Sequence, residues 1–437
     1  MVGAGLAGLT AAYELRRAGI RVTVLEARDR VGGRVHTLRA PFSNGQLAEL
    51  GGEHIDATHE ALLGYAARFG LALGDARRGI RSLRGVVYRD RRRRPFAGRR
   101  ASGRGATAYV SRMRELTRGV DPHDPVASAA HLDSRSVAEL LDECELEDEA
   151  RWLTERALQD EYGVEAEHLS LLFHAALTKL TEAQSWSATE AFRLRAGNDA
   201  LAQAFHERLG DCVALGAKVT AIHQDGDGVE LRGSAGTLRT SHVVLTPPLP
   251  ALRAVGFEPG LPSDLTEAIE SLQYGNATKI ALQFEERFWR TLGLRGYAVT
   301  DLPLGTLWEA TTGQPGHAGI LIAYPSGARA DELGSLDDPR RLAETERQVR
   351  QVYPESGAAL LGAGSAAWGR DPHSHGSYTA FAPGQMARFW GAMRRPLGRL
   401  FLAGEHTDTY VSYMEGAVRS GRRAAGAVAD VQPPNCG

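Results

Sequence analysis

Three glycines at the start of the chain, Gly3, Gly5 and Gly8, constrain its fold more than any other feature. They form G-x-G-x-x-G in Met1-Val2-Gly3-Ala4-Gly5-Leu6-Ala7-Gly8-Leu9, and a helical pattern follows. The first glycine permits a tight turn and the second lets the backbone approach a pyrophosphate. The third lets helix and strand pack closely, and the helix N-terminus offers amides and a dipole to the phosphates. A second apolar strand, Val22-Thr23-Val24-Leu25, ends in Glu26, where a ribose hydroxyl needs an acceptor. This spacing predicts a βαβ unit over 1–40 and a bound dinucleotide. Only Met1 and Val2 precede Gly3, against about five residues in an ordinary strand. Either the first strand is short, or the native start lies several apolar residues upstream.

Composition narrows the setting. With 437 residues and 43% hydrophobic content, the chain has room for about three domains or two large interleaved ones. A net charge of −2 argues against a general nucleic-acid binder and against disorder. Cys144, Cys212 and Cys436 lie far apart, so neither a disulfide framework nor a zinc site is expected. There is no apolar run of about 18 residues and no secretory signal, which makes a cytoplasmic protein without a membrane anchor the simplest expectation. Of 51 basic residues only Lys179, Lys218 and Lys279 are lysines, so each lysine draws attention. The arginine-dense stretch from Arg77 to Arg104, with Arg91-Arg92-Arg93-Arg94, reads first as the solvated face of a hairpin. A carboxylate-steering entrance and a nucleic-acid patch rank below it.

The segment Val24-Leu25-Glu26-Ala27-Arg28-Asp29-Arg30-Val31-Gly32-Gly33-Arg34 resembles the nucleotide fingerprint of the flavin-dependent amine oxidase family, which includes monoamine, polyamine and L-amino-acid oxidases. Further matches reach the end of the chain. Leu50-Gly51-Gly52-Glu53-His54-Ile55 resembles the segment that passes along the flavin ring. Lys218-Val219-Thr220 resembles the strand whose Val219 backbone receives the adenine. Leu402-Ala403-Gly404-Glu405-His406-Thr407, with Tyr413-Met414-Glu415-Gly416, resembles the helix N-terminus set against the flavin. The resemblance implies an α/β fold: a Rossmann-like FAD-binding domain from 1–75, 196–262 and 385–437, interleaved with a mixed-sheet and helical substrate domain from 76–195 and 263–384. It implies FAD held by Gly3, Gly5, Leu6, Ala7, Gly8, Glu26, Ala27, Gly33, Gly51, Gly52, Glu53, His54, Val219, Gly404, Glu405, Tyr413 and Met414. Arg28 and Arg34 would serve as phosphate donors, and Trp368 as a packing residue in the turn ahead of the flavin.

The same resemblance marks the residues expected to carry chemistry. Lys279, in Ala277-Thr278-Lys279-Ile280, stands where the family carries a lysine linked to flavin N5 and to oxygen activation. Tyr378 and Tyr413 match two aromatic walls that flank a substrate amine, whose nitrogen favours electron-rich ring faces. Ser377 occupies the place of the cysteine that binds flavin covalently in monoamine oxidases; a hydroxyl cannot make that thioether, so noncovalent FAD is expected. The arginine that clamps substrate carboxylate in many L-amino-acid oxidases is replaced by Glu53-His54; Glu53 and Asp56 read first as a surface loop or a partly buried ion pair with the many arginines, and second as a carboxylate pair near the mouth that holds a distal ammonium. His373 and His375 have no acidic or cysteine partner at metal spacing. The expectation is an FAD-dependent oxidase of a primary amine or polyamine that reduces O2 to H2O2. The alternatives are an L-amino-acid oxidase, or an amine or amino-acid dehydrogenase with another electron acceptor. No nucleic acid, membrane or metal is expected, and a homodimer is left open.

Overall fold

The computed structural model describes residues 1–76, 84–96, 106–182 and 188–432. A parallel sheet forms from three distant parts of the chain. Val24–Leu25 pairs with Val213–Ala214, and Val243–Leu245 pairs with Leu400–Leu402. Val2 joins these two ribbons by parallel bridges to Leu25 and Leu245. Short as it is, the first strand is therefore central: the Val2 amide donates to the Val244 carbonyl at 2.9 Å and the Gly3 amide to Leu25 at 2.8 Å. Central parallel strands lie covered on both faces, which is why these segments read as unbroken Val and Leu runs.

The helix Leu6–Arg17 covers one face of this sheet and packs against the last helix, Met414–Val431, through Ala7, Ala11, Leu15, Ala424, Ala425 and Val428. Small residues bring the two axes close: a methyl group on Gly421 would stand 2.3 Å from the Ala7 carbonyl oxygen. The other side of the first helix presents Leu9 and Ala12 to Leu62, Tyr65, Leu201 and Phe205.

A four-stranded sheet, in the order Gly236–Thr240, Val229–Gly233, Val219–Gln224, Gly256–Glu258, carries Val219. The turn Asp225-Gly226-Asp227-Gly228 is closed by Asp225 Oδ1, which accepts from the amides of Asp227 and Gly228. The largest sheet has seven strands, in the order Leu360–Ala367, Thr278–Phe284, Gly319–Tyr324, Thr306–Glu309, Leu294–Thr300, Arg84–Arg89, Arg92–Phe96. Lys279 lies on Thr278–Phe284, an interior strand buried at every position. Arg92–Phe96 is an exposed edge, the outer half of the expected hairpin; Arg93 pairs with Glu355, and Arg94 with Glu149 at 2.7 Å. The rest of the arginine-dense stretch lies outside the described residues.

Leu73–Asp75 and Phe192–Leu194 pair antiparallel, so the chain leaves and returns side by side around a helical block. Within that block the Asp124-Pro125 step starts a helix: the Asp124 side chain accepts from the Ala127 amide and proline takes the first turn. Ala106–Thr117, Asp148–Tyr162 and Leu171–Glu182 are its long helices among the described residues. Among the described residues, no helix is long and apolar enough to cross a membrane.

Candidate active site

The fingerprint glycines sort by what surrounds them. Gly3 has φ +99, and a methyl group on it would meet Thr246 Oγ1 at 2.5 Å; one on Gly8 would stand 2.1 Å from the Gly3 carbonyl oxygen. Gly5 has nothing within 4 Å at that position and opens onto a long cavity, with Leu6 and Ala7 beside it. Gly5 is the N-cap of the first helix and no side chain caps it. The first-turn amides and the positive end of the helix dipole are thus left for a ligand.

Glu26 lies farther along the wall, 6% exposed, its two oxygens accepting from the Ala4 amide (2.6 Å) and the Arg28 amide (2.9 Å). A carboxylate oxygen accepts two hydrogen bonds, so capacity for ribose hydroxyls remains. Ala27, Gly33 and Val219 line the same cavity, as do Gly404 and Glu405. At the other end stands the last helix, with Tyr413 as an N-cap that makes no side-chain capping bond and Met414 in the wall. Gly52 lines the cavity against Met414: a methyl group there would lie 3.0 Å from Met414 Cγ and Sδ.

Arg28 and Arg34, the expected phosphate donors, line the cavity and each is also paired with a carboxylate. Arg28 forms a two-pronged pair with Asp371 (2.8 and 2.6 Å) and reaches Ser374 Oγ at 3.0 Å. Arg34 Nη1 donates to Glu405 Oε1 (2.9 Å) and to the Ser377 carbonyl (3.0 Å). Burial would raise the Glu405 carboxyl, but the Arg34 guanidinium and the Ser412 amide outweigh it and hold it below its usual range. Each arginine is neutralised by a carboxylate from the last third of the chain. His373 and His375 also line the cavity; no group of metal-binding side chains occurs among the described residues.

Tyr378 and Tyr413 both face this cavity. The Tyr378 hydroxyl lies 3.0 Å from the Tyr324 hydroxyl and 3.4 Å from the Asp160 carbonyl; the Tyr413 hydroxyl donates to Glu161 Oε1 at 2.9 Å. Burial pushes both phenols well above their ordinary value, so they stay protonated donors. Ser377 is in the wall, its Oγ donating to the Gly275 carbonyl at 2.7 Å.

Lys279 stands behind the wall. Its Nζ donates to Glu53 Oε2 (2.6 Å) and to the Gly51 carbonyl (3.1 Å), with the rings of Trp308 and Tyr324 at 5.3 and 5.8 Å. Glu53 Oε1 takes Arg193 Nη2 at 2.7 Å and Trp308 Nε1 at 3.0 Å. Burial works to raise the Glu53 carboxyl, but Lys279 and Arg193 outweigh it and hold it well below the usual range. Arg193 Nη2 also lies 3.2 Å from His54 Nε2, and burial pushes His54 below its ordinary value.

Of the two readings of Glu53 and Asp56, Glu53 forms the buried ion pair with an arginine and not a carboxylate pair at the mouth. Glu53 is buried between two cations. Asp56 is 6% exposed, with Oδ1 accepting from the Glu190 amide at 2.6 Å and Oδ2 3.7 Å from His59 Nε2. Gly51, His54 and Trp368 are absent from the cavity wall as well. A methyl group on Gly51 would lie 2.0 Å from the Arg34 carbonyl oxygen, and Trp368 Nε1 donates to the Leu50 carbonyl at 2.7 Å, so both shape the segment that Gly52 brings to the cavity. Arg193, Trp308, Tyr324, Asp160 and Glu161 joined the site without being anticipated. They carry no motif, and the Asp160-Glu161 acidic pair ahead of Tyr162 was the one legible hint.

The residues present fit FAD. Two uncapped helix N-termini, an open cradle at Gly5 and a buried carboxylate line a single cavity, the donor and acceptor set a dinucleotide requires. The family described as flavin containing amine oxidoreductase matches residues 6–429. The L-amino-acid oxidase of Bungarus fasciatus is 28% identical, covering 97% of this chain and 85% of its own. The flavin-dependent L-tryptophan oxidase RebO of Lentzea aerocolonigenes is 30% identical, covering 98% and 97%. The solved cyclohexylamine oxidase of Brevibacterium oxydans IH-35A shares the fold, with a TM-score of 0.86 at 24% identity over 98% of both chains.

Proposed function

The chain belongs to the flavin-containing amine oxidoreductases, and on that footing we propose that it oxidises the C–N bond of a primary amine or polyamine with O2 as acceptor. Bound FAD supplies the redox chemistry, and the net reaction consumes the amine, water and O2 and releases aldehyde, ammonia and H2O2. The protein's part is orientation and electrostatics. Tyr378 and Tyr413 flank the substrate nitrogen, and their ring faces favour a polarised or cationic amine. The two uncapped helix ends and Glu26 hold the cofactor, and Lys279 serves the oxygen-reacting side. Ser377 leaves the flavin noncovalent. Segments 1–75, 196–262 and 385–437 form the cofactor domain, and 76–195 with 263–384 the substrate domain.

One observation carries the preference for amines: the Tyr413 hydroxyl donates to the Glu161 carboxylate, so one of the two tyrosine walls backs onto a negative charge. A cation is attracted to such a site and a substrate carboxylate repelled. The second reading, an L-amino-acid oxidase, is favoured by Arg193, whose Nε is buried without a hydrogen-bond partner. Glu53 already neutralises that guanidinium, which ranks this reading below the first. Anaerobic mixing with a panel of alkylamines, diamines and L-amino acids, read at the flavin's visible absorbance band, separates them. Bleaching is expected with amines. Faster bleaching by amino acids would establish the second reading, and no bleaching at all would remove the catalytic one.

A further inference from the structure

Glu53 is a buried carboxylate held by four donors or charges and shared between two cations, an arrangement that neither cofactor binding nor substrate binding accounts for. We propose that Glu53 is a positioning residue: it fixes the Lys279 ammonium against the Gly51 carbonyl, while Arg193 and Trp308 fix Glu53 from the other side. The inference rests on the reading of Lys279 as the lysine of the oxygen-reacting side.

The contacts run in a chain. Glu53 Oε2 takes Lys279 Nζ at 2.6 Å, and Oε1 takes Arg193 Nη2 at 2.7 Å and Trp308 Nε1 at 3.0 Å. A carboxylate pulled at both oxygens cannot rotate, so the ammonium it holds has one place to sit. Lysine alone would not stay there, because its ammonium is a point charge on a flexible four-carbon stem. Two of its three N–H donors go to Glu53 and to Gly51, and the rings of Trp308 and Tyr324 bound it laterally. Gly51 immediately precedes Gly52, which lines the cavity, so the clamp ends at the edge of the cofactor site. The charged and titratable groups facing the clamp are Glu53, Lys279, Arg193, His54 and Tyr324, with Glu190 beyond His54 and Glu49 near Glu53. Without Glu53, two buried cations face each other with no carboxylate between them, and the ammonium must leave its position.

The three-lysine composition makes this testable at a single nitrogen. Holoenzyme labelled with [15Nζ]lysine is expected to give one slowly exchanging ammonium correlation, from Lys279, assigned by its loss in Lys279→Met. Glu53→Gln should abolish that signal. It should also slow O2 reoxidation of the reduced enzyme about ten- to hundred-fold, the cost of a misplacement of about 1 Å. The double variant should reoxidise no more slowly than Lys279→Met alone. A signal that survives in Glu53→Gln, or effects on reoxidation that add, overturns the proposal. If Lys279→Met reoxidises at the normal rate, the oxygen reading of Lys279 fails, and the ammonium signal alone decides whether Glu53 positions it. Should Glu53→Gln not fold, Glu53→Asp keeps the charge and withdraws the oxygen by one methylene; loss of the signal supports the clamp and retention refutes it.

Discussion

Gly5 and Gly8 are three residues apart, yet a methyl group added to each meets opposite surroundings. At Gly8 it would stand 2.1 Å from a backbone oxygen that cannot move, so Gly8→Ala is expected to destabilise the protein by about 3 kcal/mol, at the top of the overpacking range. At Gly5 it would meet nothing of the protein and would project into the cofactor cradle. Gly5→Ala should leave the unfolding midpoint of the apoprotein unchanged while weakening FAD binding about ten-fold, or ~1.4 kcal/mol. Differential scanning calorimetry and a flavin-fluorescence titration read the two effects separately; a Gly5→Ala apoprotein that melts early would contradict the distinction. Ser377 makes a prediction of the same grain. Its hydroxyl is bonded to the Gly275 carbonyl and has no thioether chemistry, so acid precipitation should release all of the yellow colour into solution. Colour left in the pellet would refute noncovalent binding.

Two helices that pack through apolar residues are also joined by one polar side chain. The helix Glu60–Arg68 starts at His59, which gives it no side-chain cap; Glu415, from the first turn of the last helix, supplies two acceptors instead, to the amides of Ala61 (3.0 Å) and Leu62 (2.8 Å). Glu415 is 1% exposed. Glutamine in its place offers one oxygen and turns an N–H₂ toward an N–H. Glu415→Gln should therefore cost about 1–3 kcal/mol and lower the thermal midpoint by several degrees. An unchanged midpoint would show that the cap is idle. Such cross-chain devices also explain what could be read from the residues in order. The glycine turn and the acidic residue that ends the next strand were legible because their spacing is local, and the Gly404-Glu405 segment because it resembles a family motif. The Glu53–Lys279 pair spans 226 residues and the Arg28–Asp371 pair 343, so no periodicity or spacing announces them. For that reason an arginine partner for Glu53 could be expected in kind but not Arg193 or Lys279 in particular, and Arg193, on a three-residue strand, left no local signature.

The molecule as a whole stores neutral histidines. His59, His174 and His406 are all nearly fully buried, and burial pushes each down to about 4 from an ordinary 6.5. His174 shows why a proton is unwelcome: its two nitrogens lie 2.8 Å from the hydroxyls of Tyr109 and Tyr162, one donating and one accepting in the neutral ring. A folded-state value below the unfolded one means that the unfolded chain binds protons first. The stability from these groups is complete above pH 6.5 and is lost as pH falls toward 4, at up to about 3 kcal/mol each. Glu49 acts in the opposite sense. Burial raises its carboxyl to about 7, so its contribution is present below its ordinary 4.5 and is lost as pH rises through 7. Between pH 7 and pH 5 these three histidines, joined by His36 and the Met1 amino group, which burial pushes down to about 4 and about 5, lose more than the one carboxyl restores, a sizeable share of a total stability of about 5–15 kcal/mol. The unfolding midpoint, followed by circular dichroism in buffers of constant ionic strength, should therefore fall steeply from pH 7 to pH 5 with net proton uptake. Glu49→Gln, which removes the opposing group, should make that fall steeper. A midpoint that holds level across this range would mean that the buried imidazoles are protonated in the folded protein or that the chain opens around them before it unfolds.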